Sequence, residues 1–106
     1  MVAVSARYPD DERSEPRDEV HHRTRATRSD GTPVELVVVN ISARGLMARC
    51  ETPFQVGDRL RIKLPAVGSV PAEIRWSLGG RIGCQLDHSI PLASYFQLLA
   101  VMAKPF

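Results

Sequence analysis

The chain has 106 residues, of which 43% are hydrophobic and 25% charged, and its formal net charge is +2. This length accommodates one domain, and the composition excludes collagen, coiled-coil and wholly disordered classes. No apolar run approaches the roughly 20 residues that a membrane span requires. Residues 1–11 contain no apolar segment typical of a secretory signal. We therefore expect a cytoplasmic protein without a membrane span.

The cysteine and arginine content narrows the possible chemistry. Cys50 and Cys84 are too few and too far apart in sequence for a disulfide framework or a metal knuckle, so both are expected to be reduced and buried. Twelve of the 14 basic residues are arginine. Because arginine makes planar, bidentate contacts with phosphate and guanine, this composition permits an anionic partner without requiring one.

The N-terminal segment differs in composition from the rest of the chain. Residues 7–19 contain three arginines, six acids and two prolines, with a tyrosine as the one large apolar residue. Such a segment cannot bury enough apolar area to offset the entropy of ordering it. We expect a flexible tail at residues 1–11, a domain at residues 12–106, and an arm at residues 12–19 that becomes ordered when a ligand binds.

Short alternating or β-branched runs predict six strands. The first two, Val20–Thr27 and Val34–Ile41, are separated by a turn sequence at residues 29–33 and form a predicted hairpin. The second strand is apolar enough for burial on both faces. The other four strands are predicted at Gly45–Arg49, Asp58–Leu64, Val70–Trp76 and Ile82–Leu86. In the fifth strand, alternation places Trp76 on the face of Ile74, which favours a position in the core or at the barrel rim over a role as a stacking platform.

The C-terminal segment changes to a helical period after Pro91. Ser89 is the expected helix cap. The expected buried stripe contains apolar residues at helical spacing, namely Leu92, Tyr95, Phe96, Leu99 and Met102. Six antiparallel strands followed by one helix predict an all-β fold, a six-stranded antiparallel β-barrel with a C-terminal α-helix covering its open end.

Two polar motifs flank the predicted hairpin. Arg13-Ser-Glu-Pro-Arg17 has Arg-x-x-x-Arg spacing, and Asn40-Ile-Ser42-Ala-Arg-Gly45 has Asn-x-Ser-x-x-Gly spacing. Arg17 and Asn40 lie 23 positions apart. In this order and separation the motifs resemble the signature of the PilZ domain, the bacterial receptor module for cyclic di-GMP.

Later segments extend the resemblance. Ala72-Glu-Ile-Arg-Trp76 and residues 79–86 look like the fifth and sixth strands of that family, so the resemblance covers about residues 12–103. It implies a binding module of bacterial second-messenger signalling whose fold is a β-barrel.

The resemblance also implies a cyclic di-GMP site formed by Arg13, Arg17, Asn40, Ser42 and Gly45. Cyclic di-GMP has two phosphodiester charges and two guanines, and arginine pairs with either group or stacks on the purine. Asn40 and Ser42 are expected to project from the barrel toward a guanine edge or phosphate. Gly45 is expected to permit close approach of the ligand or to adopt a positive φ.

This chain departs from the family pattern in two respects. Asn40 stands where aspartate is common, which removes a carboxylate able to accept two bonds from guanine. Glu12, Glu15 and Asp18 flank the two arginines and are placed in sequence to pair with them in the free protein.

Three function classes remain open. The first is a cyclic di-GMP receptor that passes its state to an unknown downstream protein partner. The second is a PilZ-like adaptor whose nucleotide site is silent, and the third is a small nucleic-acid-binding barrel. The complete arginine pair favours the first class. Because few aromatic residues lie among the surface arginines, we expect no DNA or RNA partner.

Enzymatic and metal functions are not supported by the sequence. Ser42 lacks a nucleophile elbow and an evident base, so we expect no catalytic residues and no enzyme. His21 and His22 are adjacent in a strand and face opposite ways, so we expect no metal site and no cofactor besides the ligand. Apolar residues outside the helix stripe, such as Leu98 and Val101, are compatible with a monomer or a weak homodimer.

Overall fold

The computed structural model describes residues 16–103, which form a closed antiparallel barrel of six strands followed by a helix. The elements are β1 (Asp18–Arg28), β2 (Pro33–Ile41), β3 (Gly45–Arg49), β4 (Arg59–Leu64), β5 (Gly68–Leu78), β6 (Arg81–Leu86) and α1 (Leu92–Met102). Around the barrel the order is β1-β2-β3-β6-β5-β4, and pairing of β1 with β4 closes it. The predicted fold class is confirmed. No helix in this part of the chain is long and apolar enough to cross a membrane.

The strands form because alternate side chains can be buried inside the barrel while their neighbours remain in water. The clearest case is β4, where Leu60, Ile62 and Leu64 are buried and the three intervening basic residues are exposed. The strand β2 differs from the prediction, since Val37 and Val39 on its outer face are only half-buried. A barrel has one inner face, so β2 is paired on both edges without being buried on both faces.

A two-glycine turn joins β5 to β6. Gly79 and Gly80 have φ values of 60° and 80°, in the left-handed region that L side chains rarely adopt. Two successive positive φ angles match the twist of a tight hairpin. This turn therefore sets the register in which β5 and β6 form one wall of the site.

Irregular pairing of β2 turns Asn40 outward. Val38 pairs with Ala48 of β3, whereas Asn40 pairs with Met47, so Val39 is an additional residue in β2. One additional residue reverses the side to which the following side chains point. Without this bulge, Asn40 would lie on the inner face with Val38.

A second bulge turns Trp76 outward. Ile74 pairs with Cys84 of β6 and Trp76 pairs with Gly83, which leaves Arg75 as the additional residue. Ile74 is fully buried, but Trp76 is 40% exposed. The expectation that Trp76 shares the face of Ile74 is therefore wrong, because simple alternation ends at Arg75.

The helix α1 begins after Pro91, as predicted, but its buried face differs from the predicted stripe. Tyr95, Leu98 and Met102 are the buried residues, whereas Leu92 and Phe96 are 69% and 62% exposed. Leu99 is partly buried. Ser89 is not the cap, because the N-cap position is Pro91 and no side chain caps the helix.

A tyrosine fixes the orientation of α1 against the barrel. The Tyr95 hydroxyl lies 2.6 Å from Asp18 Oδ2 and 2.9 Å from the carbonyl oxygen of Ile41. Asp18 begins β1, Ile41 ends β2, and the two residues are paired. The helix is therefore attached at the end of the barrel that carries both polar motifs.

The start of β1 corrects the expected extent of the N-terminal arm. Asp18 and Glu19 already belong to the strand, where Glu19 pairs with Asn40. The arm therefore cannot extend to Glu19, since these residues are held by the ladder. The expected tail at residues 1–11 and the rest of the arm up to residue 15 lie outside the part of the chain that the structure describes.

Both cysteines are free and buried, as expected. Burial raises the pKa of the Cys84 thiol to about 12, because the thiolate would lose its hydration there. Burial likewise raises the pKa of the Cys50 thiol. Both thiols are therefore protonated at neutral pH and contribute to the core as small apolar groups.

Candidate ligand-binding site

A cavity of about 380 Å³ lies on the outer surface of the barrel, across β2, β3, β6 and β5. It is lined by polar and apolar groups from these strands and from the segments that flank them, namely Arg17, Asn40, Ser42, Arg44, Gly45, Leu46, Met47, Arg75, Trp76, Gly83, Cys84 and Gln85. Four of the five predicted site residues are among them. Arg13, the fifth, lies outside the described residues.

One row of paired residues forms the floor of the cavity. Asn40 pairs with Met47, Met47 with Gly83, and Gly83 with Trp76, so the row crosses four neighbouring strands. The two bulges bring the ends of this row, Asn40 and Trp76, to the outer surface. The cavity is thus a product of the barrel's irregular pairing.

Arg17 and Asn40 form a contact at one edge of the cavity. Arg17 Nη1 donates a hydrogen bond of 2.9 Å to Asn40 Oδ1. Because a guanidinium can only donate, this bond fixes which end of the amide is the oxygen. The Asn40 Nδ2 group faces the Met47 sulfur at 3.8 Å, a weak acceptor. Most N–H groups of the Arg17 guanidinium thus remain available as hydrogen-bond donors. The Asn40 Nδ2 group presents a further donor toward the floor of the cavity.

The Asp18 carboxylate does not form an ion pair with the Arg17 guanidinium. Its carboxylate accepts from the Tyr95 hydroxyl, as described above. The sequence neighbour of Arg17 therefore serves to attach the helix. Glu12 and Glu15, the other two acids expected near the arginine pair, lie outside the described residues.

Ser42 holds the turn between β2 and β3. Its side chain is buried, with 2% of the residue exposed. The hydroxyl lies 3.4 Å from the carbonyl of Gly45 and accepts a bond of 3.3 Å from the amide of Arg44. The expectation that Ser42 projects from the barrel surface is therefore wrong. The Ser42 hydroxyl shapes the cavity indirectly, because its contacts fix the backbone between Asn40 and Gly45.

Gly45 permits close approach of two strands. A Cβ at this position would lie 2.7 Å from the carbonyl oxygen of Cys84 in β6. Gly45 does not have a positive φ, so that part of the expectation is wrong. The absence of a side chain is needed for the pairing of β3 with β6 beneath the cavity.

Trp76 and Gly83 form the opposite edge of the cavity. A Cβ at residue 83 would lie 2.0 Å from the indole Nε1 of Trp76. The indole therefore occupies the space that any other residue at position 83 would fill, and its ring rests on bare backbone. Sequence alternation missed this pair, although a glycine facing a strand tryptophan is a usable signal for such packing.

The electrostatic character of the cavity is strongly positive. Three arginines line it, Arg17, Arg44 and Arg75, and none of the lining residues described here is an acid. Sequence reasoning did not select Arg44 or Arg75. Among residues 16–103, no group of three or more His, Cys, Asp or Glu side chains is placed to hold a metal ion. The site combines guanidinium groups, an amide and an exposed indole, which suits an aromatic anion.

We predict that Gly83→Ala displaces Trp76 from the cavity edge. The new methyl group has no space beneath the indole, so the ring must swing toward solvent. Because Trp76 is the one tryptophan of the chain, its fluorescence emission should shift to the red. We also expect a stability loss of about 1–3 kcal/mol from the forced rearrangement.

Ser77→Ala is the matched control, since Ser77 is an exposed neighbour of Trp76 in β5. Its emission and stability should equal those of the wild type. An unchanged emission spectrum in Gly83→Ala would show that the indole does not rest on residue 83.

Comparison with known proteins places the chain in a family. The family model of the PilZ domain matches residues 11–103, which includes both polar motifs, the whole barrel and the helix. A search of curated proteins found no significant match. The family match covers most of the sequence, and the chain belongs to the PilZ domain family.

Proposed function

We propose that this protein is a cytoplasmic bacterial receptor for cyclic di-GMP that transmits the presence of this second messenger to a downstream protein partner. The observation that carries the proposal is the contact between Arg17 and Asn40 at the edge of an arginine-lined cavity. These two residues belong to the two motifs of a family that binds cyclic di-GMP. The bond brings together groups that are 23 positions apart in sequence.

The available donors suit the chemistry of a guanine dinucleotide. Guanine presents O6 and N7 as adjacent acceptors, and arginine donates to both in a planar, bidentate arrangement. Arg17 keeps donors free for this contact while Asn40 holds its orientation. The exposed indole of Trp76 offers a face on which a purine can stack. Arg13 is proposed to contribute a second guanidinium from the N-terminal side.

Ser42 and Gly45 support the site through the backbone in this proposal. Ser42 fixes the turn that connects β2 to β3, and Gly45 allows β3 and β6 to approach beneath the cavity. Ligand contacts therefore come mainly from Arg13, Arg17 and Asn40. We assign no catalytic role to any of these residues, and the receptor is proposed to act as a binding module without enzymatic activity.

The second candidate is a PilZ-like adaptor with a silent nucleotide site. The observation that favours it is the apolar surface of α1, where Leu92 and Phe96 are largely exposed. A protein partner could cover such residues without any nucleotide. The receptor and the adaptor differ in one measurable respect, which is heat of binding for cyclic di-GMP.

We predict that isothermal titration of the full chain with cyclic di-GMP gives saturable binding, whereas cyclic di-AMP gives none at the same concentrations. The physical reason is that adenine presents an amino donor where guanine presents O6, so an arginine fork loses one acceptor and meets a donor. Trp76 fluorescence should change on addition of cyclic di-GMP. If the wild type shows neither binding heat nor a thermal shift at micromolar ligand, the receptor hypothesis is wrong and the adaptor hypothesis takes its place.

A further inference from the structure

We propose that Arg44 and Arg75 form a second cationic contact in the cavity and bind the second phosphodiester of cyclic di-GMP. This inference rests on the proposed function and adds residues outside the motif-defining positions. Arg44 occupies an unspecified position of the Asn-x-Ser-x-x-Gly motif, and Arg75 is the bulge residue of β5. Both line the same cavity as Arg17.

Arg44 has a fixed backbone and a guanidinium without an ion-pair partner among the described residues. Its amide donates to the Ser42 hydroxyl, and its carbonyl accepts a bond of 2.8 Å from the amide of Leu86. Its side chain is exposed and makes no hydrogen bond or ion pair with any residue in the range 16–103. A guanidinium held at a cavity edge without a carboxylate partner is available to an anionic ligand.

Arg75 is the exposed additional residue of the β5 bulge and lines the cavity. Its Nη1 donates to Gln85 Oε1, and Gln85 in turn pairs with Gly45, the residue that follows Arg44. The neutral amide orients the guanidinium without cancelling its charge. Arg44 precedes β3 and Arg75 lies in β5, and these two strands flank β6 on either side.

The placement of arginines on both sides of the cavity indicates what kind of anion fits. Arg17 is bound to Asn40 on β2, and Arg75 lies on β5, with β3 and β6 between them. Three spacings between neighbouring strands separate the backbones of β2 and β5 by about 14 Å. A cyclic mononucleotide has one phosphate and cannot place charge at both edges. A cyclic dinucleotide has two phosphates on opposite sides of its ring, so it can meet arginines on both sides of the cavity.

The test compares cyclic di-GMP with cyclic GMP by isothermal titration of wild type, Arg44→Ala, Arg75→Ala and the double variant. Each single variant should weaken cyclic di-GMP binding about tenfold or more, as expected for a lost charge-assisted bond. Affinity for cyclic GMP should change by less than about threefold, because this nucleotide lacks the second phosphodiester that Arg44 and Arg75 are proposed to bind. Preference for the dinucleotide should therefore fall.

Two sets of controls separate binding from folding. Arg61→Ala removes an exposed arginine from β4, outside the cavity lining, and should bind like the wild type. Arg44→Lys and Arg75→Lys keep the charge and should recover part of the lost affinity. Thermal unfolding of each variant should match the wild type, since both side chains are exposed.

Three outcomes would overturn the proposal in distinguishable ways. If the double variant binds cyclic di-GMP like the wild type while Arg17→Ala does not, the second contact is wrong and the receptor function stands. If both nucleotides lose affinity equally, Arg44 and Arg75 bind a group that the two nucleotides share and not the second phosphodiester. If the wild type binds neither nucleotide, the proposed function fails and this inference fails with it.

Discussion

Replacing Arg17 with alanine should reduce the free energy of cyclic di-GMP binding by about 1.5–3 kcal/mol, the contribution of a charge-assisted hydrogen bond. Arg17 is exposed, precedes β1, and has its guanidinium bound to the Asn40 side chain. The substitution removes a donor fork without removing core contacts. Isothermal titration measures the loss, and urea denaturation should show stability within about 0.5 kcal/mol of the wild type.

The bond to Asn40 makes the effect of Arg17→Ala dependent on its partner. Asn40→Ala frees the guanidinium to sample other rotamers, so it should weaken binding by a smaller amount. In the double variant the two losses should not add, because residues in direct contact share part of their effect. Arg61→Ala again provides the control for loss of one surface charge. Full additivity of the two losses would mean that the Arg17–Asn40 contact plays no part in ligand binding.

The arrangement of the barrel could be predicted from the sequence because its strands alternate regularly. In β4 and β6 every inner position is apolar, so the buried face follows from period alone. The resemblance to the PilZ signature also placed Arg17 and Asn40 in one site, and the structure shows that they are in contact although they lie 23 positions apart. The alternation of apolar residues could not predict that Trp76 faces outward. That depends on one additional residue, Arg75, whose presence is decided by pairing with β6.

The helix shows a different limit of sequence reasoning. Its sequence from Leu92 to Met102 is apolar on most sides, so several stripes satisfy a helical period equally well. The face that is buried follows from the tertiary bond between Tyr95 and the ends of β1 and β2. The expectation that Ser42 faces solvent was wrong for a similar reason, because the sequence does not distinguish a serine whose hydroxyl closes a turn from one whose hydroxyl is exposed.

Leu98→Ala should destabilise the fold by about 2–5 kcal/mol, the cost of emptying a fully buried leucine site. Leu98 is 0% exposed, although its position lies outside the stripe that periodicity selects. Leu92→Ala is the matched control, because the same change at a largely exposed position of the same helix should cost less than about 0.5 kcal/mol. Leu99 is partly buried and should give an intermediate loss. Urea denaturation of the three variants measures these differences.

The order of these three losses also tests how the helix is connected to the ligand site. Leu98 lies about one turn from Tyr95, whose hydroxyl reaches Asp18, the neighbour of Arg17. If Leu98 is the buried contact, its loss should loosen the helix and with it the start of β1. The Leu98→Ala protein should then bind cyclic di-GMP more weakly even at temperatures where it remains folded, whereas Leu92→Ala should not. A large loss in Leu92→Ala with none in Leu98→Ala would mean that the opposite face of α1 packs on the barrel.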